Sequence, residues 1–428
     1  MSVLSRRQLL TGAAALGLTI PLGALSGCGS SVSISPDPNE LVLWYWARSV
    51  NPKLLGQAAE QIPGTSRRLR ADVIGGTFDS KLRTSLSGHA YIPDISGINS
   101  NCSLYFPNEE LFTDLNQFGA ADRKDQFYDW KWQLGTTPSG RFCFWPMDTG
   151  PTGLYYRSDL FEKAGLPSDP EEVGAAITSW DGLIELGAKL RTDADIALIS
   201  TALMVFNQYL NSSPERYFDK ANKPLFENPG SAVRAAWDTA VKAAQAKMTG
   251  NLQTSTDQNS AWVSGKTAGH IEAVWWAEIL KDTAPDTKGN WRLATQPGKA
   301  GNSGGSFLTV PTTCKDPEAA YAFLSWLTTP DNQADTFNEI QLFPSTPASF
   351  EGDKMKSEGG FFGPQDALQF FRKAAENVPT TYVSTYESQV TAFATEIANV
   401  ESAGKDPERA WQDAVDETNR VLSKRGVI

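Results

Sequence analysis

In the first third of this chain strand-like and helix-like segments alternate, and strand-like material returns only after a long helical middle. That order narrows the available folds more than any single motif does. Glu40–Trp46 is a short apolar strand, and Arg68–Ile74 alternates Leu69, Ala71 and Val73 as a strand does. Phe78–Leu86 reads as a helix, Ile92–Ile98 as a strand, and Arg141–Pro146, with Phe142, Phe144 and Trp145, as another. Such alternation predicts a parallel sheet wrapped by helices. Residues 158–250 are mostly helical: Ser179 is an N-cap signal before Leu183, Leu186 and Leu190, and Pro229–Lys247 is Ala-rich. Strand signals reappear at Gly269–Val274 and Ser306–Val310. Helical spacing then carries Val390, Phe393, Ile397 and Val400, and after them Trp411, Val415 and Leu422. A chain that leaves a sheet and comes back predicts two α/β lobes made of non-contiguous segments, with a ligand cleft between them. Residues 41–147 plus 275–306 are expected to form the first lobe, and 148–274 plus 307–428 the second.

The amino terminus is an address rather than part of this fold. Arg6 and Arg7 precede a weakly apolar run, Leu9–Leu25, that ends in Leu25-Ser26-Gly27-Cys28. A basic segment, a short apolar segment and small residues at the cut make residues 1–27 a signal peptide. The paired arginines indicate the twin-arginine route. The run falls short of the ~20 apolar residues a membrane span needs, and Pro21 interrupts it. Leu-Ser-Gly-Cys resembles a bacterial lipobox, which implies acylation of Cys28 and anchoring to the outer face of the cytoplasmic membrane. Residues 28–40 are then a Ser- and Pro-rich tether. The formal charge is −11, and removal of Arg6 and Arg7 makes it two units more negative. Such an acidic chain repels phosphate backbones, so nucleic acid is a poor partner.

Cys102, Cys143 and Cys314 remain after lipidation, and outside the cytoplasm a disulfide is permitted. Cys102 follows one strand and Cys143 lies in another, so Cys102–Cys143 is the expected pair, against three buried free thiols. With His89 and His270 the only histidines, a zinc site or a His-based triad is nearly starved of ligands. Gly265-Lys266-Thr267 lacks the upstream Gly of a phosphate-binding loop, and no G-x-S-x-G elbow occurs. No cofactor or metal is expected. Carboxylates are plentiful, yet nothing singles out a glycosidase pair.

Several stretches resemble the extracellular solute-binding family 1, the lipoproteins of bacterial ABC sugar importers that include maltose- and multiple-sugar-binding proteins. Gly140–Leu166, running G-R-F-C-F-W-P-M-D-T-G-P-T-G-L-Y-Y-R-S-D-L-F-E-K-A-G-L, resembles the family's central segment almost throughout. Pro93-Asp94-Ile95, Thr178-Ser179-Trp180-Asp181, Gly265–Ala268 with Trp275, Gly304–Pro311, Glu318–Leu327 and Pro330–Gln333 follow in family order. The resemblance implies a two-lobed, periplasmic-binding-protein-like fold of type II that closes on a sugar. It implies delivery to a membrane permease driven by a separate ATPase, and no catalysis. A monomer is expected.

Sugars offer an apolar face for aromatic stacking and hydroxyl edges for carboxylates, amides and backbone N–H groups. The chain has 13 Trp. Asp148, at the lobe crossing, is the leading edge binder, with capping of the Thr149-Gly150-Pro151 turn as its other reading. Trp275 and Trp276 are adjacent, and on an extended segment they point opposite ways. Trp44 ends the first strand, where ligands gather, although Tyr45 and Trp46 compete for that role. Gly304, Gly305 and Ser306 offer close backbone approach and N–H donors, or simply a turn. Asn99 and Asn101 are further hydroxyl partners, and Tyr155 is a contact or a core residue. Thr346 stands where many family members carry an Arg, which puts that contact in doubt. Tyr382 and Tyr386 read as core packing before a stacking face. The expected ligand is a neutral di- or oligosaccharide. A binder of another solute such as a glycerophosphodiester, a secreted carbohydrate-active hydrolase and a receptor without transport are the competing readings.

Overall fold

The structure is a computed structural model that describes residues 34–357 and 359–428. The expected signal peptide, Cys28 and most of the expected tether lie outside the described residues. Among the described residues eight strands form two sheets. The first contains β1 (Glu40–Tyr45), β2 (Arg68–Val73), β3 (Ile95–Ile98), β4 (Trp145–Pro146) and β8 (Phe307–Thr309), in the order β2-β1-β3-β8-β4. β1 runs parallel to β2 and β3, while β8 is antiparallel to both β3 and β4. The sheet is therefore mixed, because β8 enters from the other lobe instead of through a helical crossover. The second sheet places β5 (Thr152–Arg157) between β6 (Gly269–Ala273) and β7 (Trp291–Ala294), all antiparallel.

The central strands β1 and β5 are buried on both faces. Along β1, Leu41 and Leu43 join one core cluster while Val42 and Trp44 join another, as the two-residue period of a strand requires. Along β5, Leu154 and Tyr156 pack into one cluster and Tyr155 into its opposite. Helices cover these faces. Pro52–Glu60 and Pro317–Leu327 supply Leu54, Leu55, Phe323 and Leu324 to the first lobe. In the second lobe, Ser179 accepts the Gly182 amide at 3.1 Å and opens the helix Trp180–Ala194, whose Leu183, Leu186 and Leu190 are buried.

Sheet membership corrects the expected division. β7 pairs with β5, so 275–306 belongs with the second lobe apart from its last residues. β8 pairs with β3 and β4, and Leu308, Val310, Ala320 and Phe323 pack under the first sheet, so 307–327 belongs with the first lobe. The chain thus crosses between lobes at Pro146–Pro151, at Asn302–Ser306 and around Gln341–Thr346. The crossings are bonded to each other. Asp148 bridges Pro344, Pro151 bridges Asn302, and the Thr149 amide donates to the Phe343 carbonyl at 2.9 Å. Gln333 holds the third crossing by donating to the Met147 carbonyl at 3.2 Å and accepting the Ser345 amide at 2.8 Å.

Candidate functional site

The carboxyl ends of β1, β2 and β3 converge near these crossings, where an open α/β sheet presents its ligand site. Val42, Trp44 and Trp46 share one face of β1. Trp44 is 3% exposed and packs in the core, which removes it from the cleft. Trp46 lies past the strand's end, half-buried, with its ring edge-on to Phe78 at 5.1 Å. A Cβ on Gly97 would come within 2.8 Å of that ring, so only glycine lets it lie flat on β3. Both indoles lie on the same face, and it is the position of Trp46 beyond the end of β1 that leaves it half-buried where Trp44 is core. Half-buried Asn99 donates to both Asp79 oxygens at 3.1 Å. The Asn101 side-chain oxygen Oδ1 is buried without a protein partner.

The crossings form the floor. Asp148, 7% exposed, accepts the Ser306 amide at 2.7 Å and the Ser306 hydroxyl on the same oxygen. The expected sugar-edge carboxylate is thus bonded first to the chain itself, and so are both donors of Ser306. Gly304 and Gly305 have φ of +86° and +76°, a left-handed bend that suits glycine. A Cβ on Gly304 would meet the Trp275 indole nitrogen at 3.2 Å, and one on Gly305 the Asp148 carbonyl at 2.9 Å and Lys131 Nζ at 3.1 Å.

The second lobe contributes Trp275, whose indole N–H donates to the Ser303 carbonyl at 3.0 Å. It is 37% exposed, the one exposed tryptophan among the described residues. Trp275 has helical backbone angles and leads into the helix Trp276–Thr283, so the pair is not extended as expected. Trp276 is 3% exposed and stacks on His270 at 4.1 Å, edge-on to Trp262 and Tyr155. It is core, and so is Tyr155, whose hydroxyl donates to the Ala273 carbonyl at 2.9 Å. Burial pushes the nearby Glu272 carboxyl up, against hydrogen bonds from Ser303 and the Ala273 amide that pull it down. Tyr382, half-buried, faces Ser100, Cys102, Phe106 and Gln133 of the first lobe across a narrow cleft, its hydroxyl on Asn222 at 2.9 Å. Thr346 is fully buried and donates to Gln333 at 2.9 Å, which makes it part of the third crossing.

The expected Cys102–Cys143 disulfide is absent. Both are free buried thiols, as is Cys314. Cys102 Sγ donates to the Leu134 carbonyl at 3.1 Å, and burial pushes the Cys102 and Cys143 thiols up to about 12. Among the described residues no His, Cys, Asp or Glu cluster fits a metal ion, and no helix is long and apolar enough to cross a membrane.

The chain resembles known proteins over most of its length. A sequence profile of bacterial extracellular solute-binding proteins matches residues 76–363. The lactose-binding protein of Rhizobium radiobacter is 25% identical over 390 residues, which cover 86% of this chain and 89% of that protein. An extracellular solute-binding protein of family 1 superposes with a TM-score of 0.84 at 25% identity, covering 89% of this chain and 99% of the other. The galacto-N-biose-/lacto-N-biose I-binding protein of Bifidobacterium longum, solved with lacto-N-biose, gives 0.73 at 22% identity, over 92% and 99%. The sugar-binding protein MalE from Xanthomonas citri gives 0.74 at 18% identity, over 90% and 98%. The fold they share is two-lobed.

Proposed function

Because the chain belongs to the bacterial extracellular solute-binding protein family, we propose that it captures a neutral di- or oligosaccharide between its lobes and delivers it to the permease of an ABC importer. One observation carries this reading: Trp275 alone among the tryptophans is left exposed, and Ser303 fixes its ring beside the glycine bend of the second crossing. A rigid, half-wet indole suits the apolar face of a sugar. Trp46 offers a second ring at the end of β1, with the Asn99–Asp79 pair and Asn101 near it for hydroxyl edges. Asp148, Gly304, Gly305 and Ser306 shape the floor. Two relatives support a disaccharide, one named for lactose and one solved with lacto-N-biose. The protein binds without turnover, a reading supported by its membership of a family of binding proteins. It is exported by the twin-arginine route, anchored through acylated Cys28 and active as a monomer.

A thermal-shift screen of the mature protein against mono-, di- and oligosaccharides and glycerophosphodiesters tests this. A sugar at a hundred times its Kd stabilises by about 2.7 kcal/mol, and chromatography of the incubated sugar should show it intact. A shift from a glycerophosphodiester alone, or recovery of hydrolysed sugar, would overturn the proposal.

A further inference from the structure

The helix Asp129–Leu134 sends one charged side chain into the lobe junction. Lys131 is 0% exposed, and its ammonium finds no hydrogen-bond acceptor in the protein. Nζ lies 3.5 Å from the centre of the Phe307 ring and occupies the space a side chain on Gly305 would need. A buried ammonium with only a π face beneath it is costly unless a nearby charge compensates it. The titratable groups facing it are Asp148, from the first crossing, and the Cys102 thiol, from the turn after β3; Gly305 and Phe307 bring none. Asp148 is also the carboxylate that holds Ser306.

We propose that Lys131 is a positioning residue of the ligand site: its buried positive charge holds the Asp148–Ser306 tie and the Gly304–Gly305 bend in the shape that receives solute. It acts through Asp148 and not by touching the ligand. The inference rests on the solute-binding reading but not on which solute binds. Burial pulls the Lys131 amine down to about 8, partly offset by Asp148. Stability and affinity must then respond to pH in opposite directions. The fold tolerates the neutral amine better, so this group raises stability between pH 8 and its unfolded value near 10.5. Ligand affinity falls over the same window, because Asp148 loses its counter-charge.

The test compares wild type with Lys131→Met and Lys131→Gln. In the binding arm, with lactose as first probe, wild-type affinity should drop about tenfold from pH 7 to 9.5. Lys131→Met should start about tenfold weaker and stay flat, with stability equal to or above wild type. In the ligand-free arm, small-angle scattering should show the wild type expanding over that pH range and both variants unchanged. Lactose that fails to bind wild type at any pH counts against the sugar reading alone, because scattering still judges Lys131. A wild-type scattering profile that is flat with pH, or wild-type affinity in Lys131→Met, overturns the inference.

Discussion

Asp148 Oδ1 receives both the amide and the hydroxyl of Ser306, the amide at 2.7 Å, so one buried carboxylate ties the first lobe crossing to the second. Pro344 of the third crossing lies against the same residue. Asp148→Ala leaves a buried amide without its acceptor, and hydrogen bonds to charged groups contribute about 1.5–3 kcal/mol each. Urea unfolding should show a loss of about 2–3 kcal/mol with unchanged slope, and sugar affinity should fall with it. Asp148→Asn keeps one acceptor and should lose less. An Asp148→Ala protein as stable as wild type would mean that Ser306 finds another partner and the tie is dispensable.

The neighbouring indoles of Trp275 and Trp276 should separate binding from stability. Trp275→Ala removes an exposed ring held by one hydrogen bond, so the melting temperature should barely move while affinity weakens by more than ~1 kcal/mol. Trp276→Ala empties a site walled by His270, Trp262 and Tyr155 and should cost about 3–5 kcal/mol of stability. Calorimetric titration alongside thermal melts distinguishes the two. Equal affinity losses in both variants would place the sugar elsewhere.

Much of this arrangement was legible because periodicity reports burial. The spacing of Leu183, Leu186 and Leu190 marks a helix whose inner face is apolar, and all three are buried. The same rule puts Val42, Trp44 and Trp46 on one face, and only the end of β1 at Tyr45 separates the core indole of Trp44 from the half-buried one of Trp46. The lobe exchange was not legible. Trp291–Ala294 is too short and too mixed to announce a strand, and only its pairing with β5 assigns it to the second lobe. Lys131 gave no signal either. A lysine between Trp130 and Trp132 looks like a solvated position on a short helix, and only the third dimension brings Phe307 and Gly305 against it.

The three cysteines should behave as buried hydrophobes. All are free in the structure, and desolvation keeps the thiolate form rare at neutral pH. Folded protein should resist alkylation, and denaturation without reductant should expose all three to it. A Cys102–Cys143 cross-linked peptide in an unreduced digest would contradict the structure.

His270 makes stability depend on pH from inside the second lobe. Its ring stacks on Trp276 at 4.1 Å, and burial holds the imidazole down at about 3, against 6.5 when free. The folded state therefore keeps it neutral while the unfolded chain protonates it below pH 6.5, so the unfolded state binds the extra proton. Stability from this group is complete above that pH, declines as pH falls and levels off below about 3. Other carboxylates also titrate in this range, so the informative quantity is the difference from His270→Phe, which keeps a ring against Trp276. Between pH 7 and pH 5 the wild type should lose about 2 kcal/mol more than the variant. Urea denaturation at the two pH values measures this directly. Parallel losses in the two proteins would mean that the imidazole accepts its proton without unfolding, and that the ring stack opens to water.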